Sequence, residues 1–129
     1  MRIHIMLIDD DIDENEILRH VFDYAGIEHK CTWALSVDHA LSMLKYLDPD
    51  IIFIDLNMPT MDGLTGITKI RDLASLKDKP LVLYSTTITE TVRQEAMRRG
   101  ATACLQKPDS VVCYKEKILQ VLSATELYY

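Results

Sequence analysis

The chain has 129 residues, 48% of them hydrophobic and 26% charged, which suits one domain able to bury about two-thirds of its unfolded surface without disulfide or metal staples. Four glycines, four prolines and an ordinary apolar fraction exclude disordered, collagen-like and coiled-coil chains. With 14 basic against 20 acidic residues and a net charge of −6, it lacks the basic footprint of a nucleic-acid binder.

Ile3 to Ile8 is a short apolar run, broken only by His4, as in a strand buried on both faces. Ile17, Leu18, Val21, Phe22 and Ala25 follow at helical spacing, with Asp13 a candidate N-cap and Gly26 a candidate residue just past the C-terminus. Lys30 to Ala34 reads as a second strand. Ser36 can cap a helix burying Val37, Ala40, Leu41, Leu44 and Leu47, which has to stop before Pro49. Ile51 to Ile54 is the third strand, ending at Asp55, and the next helix carries Leu64, Ile67, Ile70 and Leu73. Ser75 to Lys79 is a polar connection. Leu81 to Tyr84 is the fourth strand.

Thr89 to Arg99 is a helix with Arg98 and Arg99 in its last turn, where cations suit the helix dipole, and Gly100 follows. Thr102 to Leu105 is a short fifth strand. Asp109 or Ser110 caps a last helix that runs to about Thr125 with Ile118, Val121 and Leu122 inward. Glu126 to Tyr129 reads as a loosely held tail. Strand and helix alternate five times, which predicts an α/β domain: a parallel sheet with helices on both faces and right-handed crossovers. One domain is expected over residues 1–129, with its core at about 2–124.

Cys31, Cys104 and Cys113 are odd in number and form no Cys-x-x-Cys motif. This argues against a secreted disulfide framework and for a reducing compartment. No apolar run approaches the roughly 18 residues of a membrane span. The start, MRIHIMLIDDD, has no small-residue cleavage site, so no signal peptide is read. The expectation is a soluble cytoplasmic protein without direct nucleic-acid or membrane partners.

Ligands of open parallel sheets sit beyond the carboxyl ends of the strands. Here strand one ends in Asp9-Asp10-Asp11, strand three in Asp55, strand four in Ser85-Thr86-Thr87, and strand five runs into Gln106-Lys107-Pro108. Carboxylates this close repel each other and raise each other's pKa values, and a hard cation such as Mg²⁺ removes that repulsion through oxygen ligands. A carboxylate can also serve as a nucleophile and form an aspartyl phosphate. Lys107 could pair with Asp55 at rest and with a phosphoryl oxygen after transfer, and Ser85 could donate to another such oxygen. Asp9, Asp11 and Asp13 could also begin a calcium loop. That reading fails because Glu14 stands at the tight-turn glycine and His20 at the bidentate acid.

These residues closely resemble the receiver domains of two-component response regulators. The resemblance rests on Leu7-Ile8-Asp9-Asp10-Asp11, on Asp55-Leu56-Asn57-Met58-Pro59-Thr60-Met61-Asp62-Gly63, on Pro80 to Thr86 and on Gly100 to Pro108. It spans Arg2 to about Ala124. It implies a flavodoxin-like, doubly wound five-stranded parallel sheet of order 2-1-3-4-5 with five helices.

The same resemblance implies that Asp55 is the phosphoacceptor and that Mg²⁺ is the cofactor. Asp10 would be a direct ligand, Asp9 would act largely through water, and Asn57 would offer its backbone carbonyl. Ser85 occupies the switch hydroxyl position, and Lys107 matches the family lysine, with a cis bond to Pro108. Asp62 reads as a helix cap rather than a metal ligand. The implied function is that of a stand-alone signalling switch or phosphorelay intermediate. It would not be an enzyme on external substrates, but would catalyse its own phosphorylation and slow autodephosphorylation. A histidine kinase or histidine phosphotransfer domain would be the donor. The downstream protein would bind the face of helix four, strand five and helix five. One departure stands out: Cys104 occupies the position where receivers often carry the aromatic ring that reports switching.

Two rival readings compete. A pseudo-receiver would have lost an acid or the lysine, and neither is missing. A Mg²⁺-dependent phosphohydrolase with an Asp nucleophile would carry a second acid where Asn57 stands.

Overall fold

The structure, a computed structural model, describes residues 2–125 and 127. Five strands, β1 (Ile3–Ile8), β2 (His29–Ala34), β3 (Ile51–Asp55), β4 (Leu81–Ser85) and β5 (Ala103–Gln106), alternate with five helices. The helices are α1 (Ile12–Tyr24), α2 (Val37–Met43), α3 (Gly63–Arg71), α4 (Glu90–Arg99) and α5 (Val111–Ala124). The sheet is parallel throughout, in the order β2-β1-β3-β4-β5. The alternation predicts the parallel sheet covered on both faces, and the doubly wound, flavodoxin-like strand order is the one the receiver resemblance implies.

The strand period of two divides the core. Ile3, Ile5 and Leu7 of β1, Phe53 of β3 and Val82 and Tyr84 of β4 pack with Leu18, Val21 and Phe22 of α1 and Ile118, Val121 and Leu122 of α5. Met6 and Ile8, Ile52 and Ile54, and Leu81 and Leu83 face the other way. They pack with Val37 and Ala40 of α2, Ile67 and Ile70 of α3 and Ala96 of α4. Side chains two apart on a strand share a face, so the same parity decides which side of the sheet each residue beyond a strand end serves.

Every α-helix starts at a side-chain cap. Asp11, Ser36, Asp62, Thr89 and Ser110 accept from the backbone N–H of Asp13, His39, Thr65, Val92 and Cys113. Each such bond satisfies an otherwise unpaired amide of a first turn. Asp62 is thus a cap, as expected. Asp11 takes the role expected of Asp13, so α1 starts two residues earlier and directly beneath the acids of β1. Gly26 and Gly100 adopt positive φ, 72° and 115°, after α1 and α4, the conformation that suits glycine past a helix end.

Three local expectations need correction. Helix α2 ends at Met43, so Leu44 and Leu47 pack on the core from the following turns. Leu73 falls outside α3 and is 41% exposed, whereas Leu76, in the stretch read as a polar connection, is 4% exposed. A short 3₁₀ turn over Ala74–Leu76 causes the exchange, because its tighter winding rotates the next apolar residue inward. The expected loose tail is anchored at Leu127, whose N–H donates to the Leu122 carbonyl at 2.9 Å and whose side chain packs on the core. Positions 126, 128 and 129 of that tail lie outside the described residues. Among the described residues no helix is long and apolar enough to cross a membrane.

Candidate functional site

The carboxyl ends of β1, β3, β4 and β5 form one rim, and the chain turns there into a cleft of about 310 Å³. Its lining includes Asp9, Asp10, Asp55, Asn57, Ser85 and Lys107. All six residues singled out from the sequence therefore meet in one place. Oxygens of Asp9, Asp10 and Asp55 lie within 4.8 Å of one another.

Asp55 is the last residue of β3 and is 8% exposed. Burial first, and the neighbouring Asp9 second, lift its carboxyl from 3.8 to about 6. The Asn57 N–H, donating at 3.4 Å to Oδ1, and the Lys107 charge offset part of that rise. Asp9 is 1% exposed, and burial raises its pKa as well. Three groups hold it. The Asp11 N–H donates to Oδ1 at 2.9 Å, the Tyr84 hydroxyl donates to Oδ2, and the Trp33 indole N–H donates to the Asp9 carbonyl at 2.8 Å. Asp10 is exposed at the mouth of the cleft.

Ser85 ends β4 and is buried on the opposite parity, with Leu81 and Leu83. Its Oγ accepts from the Asn57 side-chain amide at 3.2 Å. The expected Lys107–Asp55 pair is not formed. Lys107 Nζ lies 3.2 Å from Glu14 Oε1 and 4.3 Å from the centroid of the Tyr84 ring. Glu14 is on the first turn of α1 and presents its carboxylate to the same cleft, so it competes with Asp55 for the one ammonium. A second expectation also changes. No peptide bond among the described residues is cis, so Lys107–Pro108 is trans. Both isomers are accessible at a proline, where the tertiary amide separates them by only about 0.5–1 kcal/mol.

Sequence reading passed over Glu14, Tyr84 and Trp33. Glu14 entered as a residue that breaks a calcium loop, and the two aromatics read as strand residues. Only Tyr84 carried a signal, as a hydroxyl-bearing residue at the end of an otherwise aliphatic strand.

The donor set is three carboxylates, two of them buried, beside one lysine that is already paired. Such a set fits a hard, oxygen-preferring cation of the Mg²⁺ type, which takes one or two carboxylates and completes its sphere with water and phosphate oxygens. It does not fit a soft metal, because no sulfur or imidazole belongs to the cluster.

The profile of the response regulator receiver domain matches residues 5–119. The chain belongs to the response regulator receiver family. Receivers of this family are signalling phosphoacceptors of two-component systems, phosphorylated by histidine kinases, and they bind Mg²⁺ through an acidic pocket of the kind formed here. A protein-glutamate methylesterase/protein-glutamine glutaminase of Rhodospirillum rubrum is 34% identical over 84% of this chain, which spans 29% of that protein. The sensor histidine kinase CheAY of Helicobacter pylori is 32% identical over 82% of the chain, which spans 13% of it. The chain thus spans well under half the length of these relatives. The structure of the chemotaxis protein CheY4 of Vibrio cholerae superposes with a TM-score of 0.80 at 26% identity, covering 95% of this chain and all of that one.

Proposed function

We propose that this receiver accepts a phosphoryl group from a phosphohistidine onto Asp55 and acts as a phosphorylation-controlled switch or relay intermediate. The observation that carries the reading is the meeting of Asp9, Asp10 and Asp55 within 4.8 Å, with Ser85 and Lys107 on the same cleft wall. A carboxylate oxygen of Asp55 forms the new bond to phosphorus as the phosphorus–nitrogen bond of the donor breaks and the imidazole nitrogen keeps the electron pair. Water later attacks the same phosphorus, releases phosphate and restores the carboxylate. Asp9, Asp10, Asp55 and the Asn57 carbonyl would hold Mg²⁺. When bound, the ion neutralises the charge on the carboxylates and the phosphoryl oxygens.

The residues of the chain supply the rest. Ser85, once released from the Asn57 amide, donates its hydroxyl to a phosphoryl oxygen. Lys107 leaves Glu14 to balance another oxygen, a move of a flexible side chain whose partner sits on the cleft rim. Positioning and charge neutralisation are most of what phosphoryl transfer requires. A groove of about 570 Å³ shares Glu14, Thr86 and Lys107 with the cleft and continues between α1 and α5 past Ile17, Pro108 and Tyr114. A histidine kinase or phosphotransfer domain would seat there with its phosphohistidine toward Asp55. The response would leave through the face of α4, β5 and α5.

We take residues 1–129 as a single stand-alone receiver. In support, the chain spans all of the CheY4 structure and 78% of a 14.6 kDa protein of Leptolyngbya boryana to which it is 33% identical. A phosphohydrolase reading has less support, because Asn57 stands where a second acid is needed and its side chain is committed to Ser85.

The test is labelling with a small acyl phosphate in Mg²⁺, read by intact mass. One added phosphoryl group is expected on the parent and none on Asp55→Ala. Undiminished labelling of Asp55→Ala would move the acceptor elsewhere.

A further inference from the structure

Tyr84 sits next to last on β4, directly opposite Asp55 in the β3–β4 register. It is 2% exposed. Its parity places it on the α1/α5 side of the sheet, and from there it crosses beneath the end of β3. Its hydroxyl donates to Asp9 Oδ2 at the end of β1, while Lys107 Nζ rests 4.3 Å from its ring centroid. Phe53 and Phe22 continue the aromatic row behind it. The Phe53–Tyr84 and Phe22–Phe53 rings meet edge to face at 6.4 and 6.5 Å. The ring therefore has little freedom, and its two functional contacts point at opposite ends of the cleft.

We propose that Tyr84 is a positioning residue for both halves of the site: its hydroxyl fixes the Asp9 carboxylate for the cation, and its ring holds Lys107 ready for the phosphoryl group. The inference rests on the receiver chemistry proposed above. Three observations support it. Both Asp9 oxygens already have a protein donor, the Asp11 N–H on one and Tyr84 on the other, so the carboxylate is held in a single orientation. Trp33 fixes the Asp9 backbone from the far side. The ammonium of Lys107 is shared between Glu14 and the ring face rather than with Asp55, and a cation over an aromatic face is held without being neutralised. When Glu14 lets go, the ring keeps Lys107 at the cleft. Removing groups that orient metal-binding carboxylates typically weakens the metal 10–100-fold.

The experiment separates hydroxyl from ring. Mg²⁺ is titrated into the parent, Tyr84→Phe and Tyr84→Leu while the fluorescence of Trp33 is followed, and acyl-phosphate labelling is then measured at Mg²⁺ concentrations that saturate each protein. Tyr84→Phe keeps the ring and loses the donor. It should need about tenfold more Mg²⁺ or higher still. Tyr84→Leu should show the same weakened Mg²⁺ binding and, in addition, label more slowly than Tyr84→Phe at saturating Mg²⁺, because Lys107 has lost its platform. A purely structural role would lower the urea midpoints of the variants without splitting the Mg²⁺ requirement from the saturated rate. A folded Tyr84→Phe that titrates at the parent's Mg²⁺ concentration overturns the inference.

A measurement on the parent covers the case of a variant that fails to fold. The ring-carbon resonances of Tyr84 should follow Mg²⁺ along the same curve as the Trp33 indole, and a Tyr84 signal indifferent to Mg²⁺ also overturns the inference. A parent that neither responds to Mg²⁺ nor labels at Asp55 would instead overturn the receiver chemistry on which the inference rests.

Discussion

Replacing Asp55 by Asn should stabilise the metal-free protein at neutral pH. Asp55 is 8% exposed, and burial with the Asp9 charge raises its carboxyl from 3.8 to about 6. The folded chain therefore binds this proton more tightly than the unfolded chain. The resulting contribution favours the fold fully below pH 3.8 and is lost as pH rises to about 6. At pH 7.5 both states are ionised, and the folded state bears a charge that its surroundings disfavour. A rise of about two units corresponds to about 3 kcal/mol at most. The cleft opens to water on one side, and screening there brings the expected gain down to about 1–2 kcal/mol.

Asn preserves the shape of the side chain and an oxygen for the Asn57 N–H. The assay is urea unfolding in EDTA, where this gain moves the midpoint up by roughly 0.5–1 M. At pH 4.5, where the parent's Asp55 is mostly protonated, the gain should shrink to about a third. Asp10 is exposed, and its replacement should do much less. An Asp55→Asn protein no more stable than the parent at pH 7.5, or equally stabilised at both pH values, would refute the reasoning.

Ser85→Ala loses one hydrogen bond, to the amide of the exposed Asn57. It should unfold within about 1 kcal/mol of the parent and keep its Mg²⁺ response. Its α4 amide shifts on binding beryllofluoride should be smaller than the parent's, as read by NMR. Gly63→Ala would place a Cβ 2.5 Å from the Asp55 carbonyl oxygen and 2.9 Å from Leu56 Cα. Backbone cannot yield there, so a loss of about 3 kcal/mol or more is expected in urea unfolding, with Asp55 labelling lost as well. Gly66→Ala is the control: its nearest neighbours are the tips of Ile54 and Val37 at 2.5 and 2.8 Å. Those side chains can turn away, and a loss of about 1–2 kcal/mol is expected with labelling retained.

The fold was legible because each element carries its own local signal. Isoleucine-rich runs mark the central strands, the 3.6-residue spacing marks the helices, and Ser36, Thr89 and Ser110 mark helix starts. The misreadings occur where two signals overlap. Leu73 and Leu76 lie three apart and both suit a helix face, and only the 3₁₀ turn decides between them. Five of the six candidate residues of the site were legible because they end or directly follow strands, and strand ends in a parallel sheet converge, whereas Asn57 entered only through the receiver resemblance. Pairings were not legible. Lys107 meets Glu14 from 93 positions away, and Tyr84 meets Asp9 from 75 positions away. No local spacing encodes which of several acids a lysine will reach.

Under the proposed function, the parity of the strands would let one rim both take a phosphoryl group and pass on a signal. Asp9, Asp55 and Tyr84 follow the parity of Leu7, Phe53 and Val82 and belong to the α1/α5 side. Ser85 follows Leu83 and belongs to the α3/α4 side. In the proposed mechanism, a charge added at Asp55 and answered by Ser85 would cross the sheet at the end of β4. On that second side Cys104 is half-buried against the core and has no ring to swing. Its neighbour of the same parity, Gln106, accepts from the Ile88 N–H at 3.2 Å, while its own carbonyl accepts from Lys117 at 2.9 Å. The loop between Ser85 and α4 is thus tied to β5 and α5 by hydrogen bonds. In the proposed switch, a pull on Ser85 that shifts Ile88 would reach Gln106 through that hydrogen bond, with no aromatic side chain changing place.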